Sequence, residues 1–139
     1  MTYDKDRLYG RAKTLMPYTI QVEERLVRIQ MAGRLTLPEL TRLAQYFGEL
    51  ESRSAVSPHR LLDLSKVDGV DMNFADMEDL AAQRRAAPLK NLVKSAILAP
   101  KPVLFGFARM FQTLNSHPQI QVEIFTELNS ALQWLETSP

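Results

Sequence analysis

Apolar and polar positions alternate twice near the start of the chain, in "YTIQVEERLVRIQMAG", residues 18–33. Tyr18, Ile20 and Val22 alternate with Thr19 and Gln21; Val27, Ile29 and Met31 alternate with Arg28 and Gln30. A period of two places one set on a buried face, so two strands are predicted, joined as a hairpin by Glu23, Glu24 and Arg25. The period then changes. Leu37, Leu40, Leu43, Ala44, Phe47 and Leu50 recur at helical spacing, which predicts a helix with one apolar stripe. Thr36 and Glu39 have capping-box spacing, and Pro38 sits in the first turn, where a missing N–H matters little.

"HRLLDLS", residues 59–65, is nearly continuous in apolar residues and reads as a strand covered on both faces. "NFADMEDLAAQRRA", residues 73–86, predicts a second helix with Asn73 as N-cap, Asp76 in the first turn and Arg84 and Arg85 in the last. "VKSAILAP", residues 93–100, is a further strand stopped by Pro100, and Pro102 opens a third helix. "IQVEIF", residues 120–125, alternates again. Thr126 is the expected cap of a last helix whose inward positions are Leu128, Ala131, Leu132 and Leu135. The element order is ββαβαβαβα. Alternating strands and helices after a hairpin imply one α/β domain with a mixed sheet of four to five strands. Hydrophobic periodicity is sparse before Leu15, so residues 1–16 are expected to be a flexible extension and residues 17–139 the folded domain.

Composition narrows the chemistry. The chain has 139 residues, enough for a core without a metal or disulfide staple. It has no cysteine, which removes thiolate catalysis and sulfur-based zinc sites. A net charge of +1 gives no overall attraction to nucleic acid. No apolar run is long enough for a transmembrane segment, and the N-terminus lacks a signal-peptide core, so a cytoplasmic location is expected. No nucleophile elbow or phosphate-binding loop is present, no cofactor is expected, and the chain is read as not an enzyme.

Two stretches of charge stand out. Residues 63–79 hold six carboxylates against Lys66 alone, without the spacing of a calcium loop, so no metal site is expected. Residues 84–101 hold Arg84, Arg85, Lys90, Lys94 and Lys101 with no acid. That run is either a docking surface for an acidic partner or helix-end and loop charges serving solubility. The third helix is apolar nearly all round: Leu104, Phe107 and Phe111 share one face, and Val103, Phe105 and Met110 widen it. Such a helix needs more than one neighbour. It is a candidate homodimer interface, or the wall of a pocket for a small apolar ligand.

The element order, the run Asp63-Leu64-Ser65 with Val67, and the pair "FGFARMFQTL" and "VEIFTELNSALQWL" resemble the STAS domain of anti-sigma-factor antagonists, in particular its SpoIIAA-like group. The resemblance implies a STAS-like single domain and a regulatory protein partner. In that family a serine in the loop after this strand is phosphorylated at a helix N-terminus. The corresponding positions here are Asp71, Met72, Asn73 and Phe74, so the aspartate is kept and the hydroxyl acceptor is absent. Asp63, Ser65, Asp71 and Asn73 are the candidate loop residues of a protein-interaction module lacking the switch. An enzyme using Asp63 or Asp71 as acid or base is the remaining alternative.

Overall fold

The computed structural model describes residues 13–15, 18–85, 88–115 and 117–137. These form a six-stranded sheet: β1 (Lys13–Leu15), β2 (Tyr18–Val22), β3 (Leu26–Thr36), β4 (His59–Asp71), β5 (Val93–Leu98) and β6 (Ile120–Phe125). The described residues also form the helices α1 (Leu37–Arg53), α2 (Phe74–Arg85), α3 (Pro102–Leu114) and α4 (Leu128–Glu136). Strand order in the sheet equals chain order, β1-β2-β3-β4-β5-β6. β1 to β3 are antiparallel, and β3 to β6 are parallel.

From Tyr18 onward the elements follow the predicted order. β1 is an addition: Lys13–Leu15 pair with Tyr18–Ile20 inside the expected extension. The remainder of that extension, residues 1–12 and 16, lies outside the described residues.

Consecutive parallel strands joined by right-handed crossovers put each crossover helix on the same face. The larger core cluster accordingly gathers Leu43 and Phe47 of α1, Leu80 of α2 and Leu104 and Ala108 of α3 against one side of the sheet. Among the described residues α4 covers the other side, where Ala131 and Leu135 meet Leu61, Ala96 and Leu98.

Two expected caps are not made. Thr36 is the N-cap of α1 but forms no side-chain capping bond, and the N-cap of α4 is Glu127 rather than Thr126. In each case the residue before the helix is extended, and the backbone simply turns into the first helical bond. The expected cap of α2 is made in full. Asn73 Oδ1 accepts the Asp76 N–H at 2.9 Å, and the Asp76 carboxylate accepts the Asn73 N–H at 3.1 Å.

Candidate functional site

The stretch expected to be an acidic loop is mostly strand. β4 runs thirteen residues and pairs with β3 from His59 to Asp71. Its register against β3 slips twice: Gln30 faces Asp63 but Ala32 faces Lys66, and Gly33 faces Val67 but Arg34 faces Gly69. Each slip adds one residue to β4, the signature of a bulge. The bulges reset the side-chain parity. Leu64, Val67 and Val70, three apart in sequence, therefore all turn to the core. A spacing of three is not strand periodicity, which is why the pattern ended the strand at Ser65.

The first bulge is organised by Asp63. Its Oδ1 accepts the Ser65 N–H at 2.9 Å, and its Oδ2 accepts Gln30 Nε2 at 3.2 Å. Ser65 thus contributes a backbone donor to a local turn. At the strand end, Asp71 takes both Arg34 Nε and Nη2, at 2.8 and 2.7 Å, in a solvent-exposed bidentate pair. The Arg34 guanidinium holds the Asp71 carboxyl below the usual carboxylate range. Gly69 gives that guanidinium its path: a Cβ there would meet Arg34 Nη1 at 2.6 Å. Asn73 is committed to the α2 cap. The four candidate residues lie along one strand and its exit, with Asp63 and Asp71 facing Gln30 and Thr36 of β3, six residues apart, or roughly 20 Å at strand rise. They do not converge on a single site.

The basic run of residues 84–101 likewise disperses. Arg84 Nη2 bonds Glu51 at 2.9 Å. Lys94 is 2 % exposed, with Nζ donating to the Trp134 and Thr137 carbonyls at the end of α4. Lys101 Nζ donates to the Val67 carbonyl at 2.9 Å, Lys90 Nζ to the Ser54 carbonyl, and Arg85 to the Leu114 carbonyl. These cations are used to tie elements together rather than to form one docking patch.

The α3 residues divide among three surroundings. Leu104 is fully buried in the core. Phe107 and Phe111 line a cavity of about 70 Å³ between the sheet and the helices. Val103, Phe105 and Met110 face solvent, Val103 at 59 % exposure. Phe74, in the first turn of α2, is 54 % exposed. Because β4 and β5 are parallel, the starts of α2 and α3 lie at the same end of the sheet. Phe74, Val103 and Phe105 therefore lie toward the same end of the sheet, with β4 running eight residues past Asp63, the partner of the last β5 residue, before α2 begins. Exposed aromatic and branched apolar residues are candidates for a contact surface.

Sequence reasoning missed a buried ionic cluster. Glu51 is 2 % and Arg60 4 % exposed. Arg60 Nη2 lies 2.7 Å and Arg84 Nη2 2.9 Å from the same Glu51 oxygen. The Arg60 guanidinium also stacks on the Phe47 ring at 4.4 Å. Burial lowers the Arg60 pKa to about 10 against the pull of Glu51, so the side chain stays charged at neutral pH. The clue was present: Glu51 falls four residues after Phe47, on the inward stripe of α1.

Neither Asp63 nor Asp71 lines the cavity. Among the described residues no cluster of His, Asp or Glu is arranged to hold a metal, and no helix is long and apolar enough to cross a membrane.

The chain matches no family model and no curated protein. Solved structures do resemble it. An uncharacterised protein with a SpoIIAA-like fold from Shewanella loihica PV-4 superposes with a TM-score of 0.56 at 16 % identity, covering 85 % of this chain and 91 % of that one. An anti-sigma factor antagonist from Mycobacterium paratuberculosis gives 0.51 at 17 % identity, covering 86 % and 93 %. The anti-sigma factor antagonist SpoIIAA in its unphosphorylated form gives 0.54 at 14 % identity, covering 87 % and 99 %. The protein is thus an α/β domain with a SpoIIAA-like fold, the fold that the sequence resemblance implied.

Proposed function

We propose that the protein is a non-enzymatic interaction module that docks a protein partner, including a second copy of itself, through the end of the sheet where α2 and α3 begin. The observation that carries this reading is the exposure of Phe74, Val103 and Phe105 at that end. The fold's likeness to anti-sigma factor antagonists, proteins named for acting on a protein, supports it. The α2 N-terminus supports docking without a phosphoserine switch. Met72 and Asn73 carry no hydroxyl, and Asn73 and Asp76 already use each other's backbone N–H groups. A phosphate placed there would meet the Asp76 carboxylate rather than free donors.

Site-specific photo-crosslinking in the native host tests the reading. A photoreactive residue at position 74 or 105 is expected to yield a protein adduct, either a dimer of this chain or a heterologous conjugate. The same residue at Glu24, in the hairpin at the opposite end, is the control. Sedimentation of wild type and Phe105→Glu then separates self-association from a different partner. No adduct from positions 74 and 105 above that from position 24 would refute the docking surface.

A further inference from the structure

We propose that the cavity beneath α2 is a binding site for a small amphipathic anion, a short-chain monocarboxylate whose charge meets Arg60 and Arg84 and whose hydrocarbon part lies among Phe47, Phe107 and Phe111. This site is separate from the docking surface and stands or falls without it.

Charge is the first argument. Two guanidiniums, Arg60 and Arg84, share one carboxylate, Glu51. The charged groups acting on Arg60 are Glu51, which stabilises its cation, and Arg84, which opposes it. Among the described residues the cluster therefore carries a net positive charge in a place nearly closed to water. Buried charge without a counter-ion is strongly unfavourable, so the cluster is complementary to one further negative group.

Geometry is the second. Both arginines line the cavity. Arg60 Nε is buried and has no hydrogen-bond partner among the described residues. Arg60 also faces Ser95 in the β4–β5 register, and Ser95 and Asn115 line the same space. These polar groups provide donors for a carboxylate, whose fork geometry suits guanidinium.

The rest of the wall is the third. Apart from those four polar residues the lining is apolar, drawn from β3, β4, β5 and β6 of the sheet and from α1, α2 and α3. A volume of about 70 Å³ is roughly half that of an engineered cavity that stays dry and takes benzene, so the tail it admits is a few carbons long. Apolar walls with a few convergent polar groups at one end are the general pattern of a small-molecule site.

The test is a methyl NMR titration of the full chain with propanoate and with 1-propanol, which is of similar length without the charge. Propanoate is expected to give saturable shifts at the Met31 and Leu43 methyls, and 1-propanol to bind roughly tenfold more weakly. Arg84→Gln, chosen because Arg84 is the less buried arginine, is expected to weaken propanoate by about tenfold and leave 1-propanol unchanged. Phe111→Trp fills the cavity and is expected to abolish both titrations. Absence of saturable shifts with propanoate would overturn the site. Equal binding of the acid and the alcohol, or propanoate affinity unchanged in Arg84→Gln, would overturn its anionic character.

Discussion

Glu51 shows how much one buried carboxylate can carry. It is the sole acid bonded to Arg60 and Arg84 among the described residues. Glu51→Gln leaves both guanidiniums without a counter-charge and is expected to destabilise the fold by about 3–5 kcal/mol. Arg84→Gln keeps the Arg60–Glu51 pair and is expected to have a smaller effect; urea denaturation of the two variants checks the ranking. The inward position of Glu51 was legible in its spacing, but its partners come from β4 and α2, which periodicity cannot bring together.

His59 gives a pH signature at the same scale. Its Nδ1 accepts the Lys94 N–H at 2.9 Å, which only a neutral ring nitrogen can do. Burial first, then the positive charges of Lys94, Arg60 and Arg25, lower its pKa from the ordinary 6.5. Below pH 6.5 the unfolded chain therefore takes up a proton that the folded chain resists. The stability His59 contributes is fully present above pH 6.5 and declines as pH falls from there toward the lower folded value. Denaturation midpoints measured between pH 7.5 and 5.5 should fall, and His59→Gln should flatten that slope.

At the scale of elements, the hairpin, α1 and β6 were legible from their periods, and the first half of β4 and all of β5 from short runs rich in apolar residues. β1 was not, since three residues cannot display a period. The second half of β4 was not, since its bulges break the alternation that defines a strand. Caps were legible only where side chain and backbone agree, as at Asn73, and misleading where the backbone turns without side-chain help, as at Thr36 and Thr126. Lys94 shows the same limit for charge. Sequence placed it in a basic run, whereas β5 is buried along its whole length and directs this ammonium to the carbonyl end of α4. Lys94→Met is expected to leave those carbonyls short of a donor and to destabilise the region by about 1–3 kcal/mol. Hydrogen exchange should show protection lost across residues 128–136 while α1 is unaffected.

At the scale of the molecule, the α/β class was legible but the strand order was not, because periodicity identifies faces and not neighbours. Topology then decides what the candidate residues can do together. It distributes Asp63, Ser65, Asp71 and Asn73 along one long strand and its exit. It also splits the apolar circumference of α3 into core, cavity wall and exposed surface. The cross-linking result belongs to this scale, since the parallel arrangement of β4 and β5 puts the starts of α2 and α3 toward the same end of the sheet.

The identity of chain order and sheet order also bears on biosynthesis. Each strand, as it emerges from the ribosome, finds its neighbour already made, so the sheet can extend in the direction of translation. The second face is the exception. Leu61, Ala96 and Leu98 are covered by α4, which follows every strand it seals. A nascent chain halted before Leu128 would carry all six described strands with Leu61, Ala96 and Leu98 lacking the cover of α4, a state that chaperones would recognise until the last helix arrives.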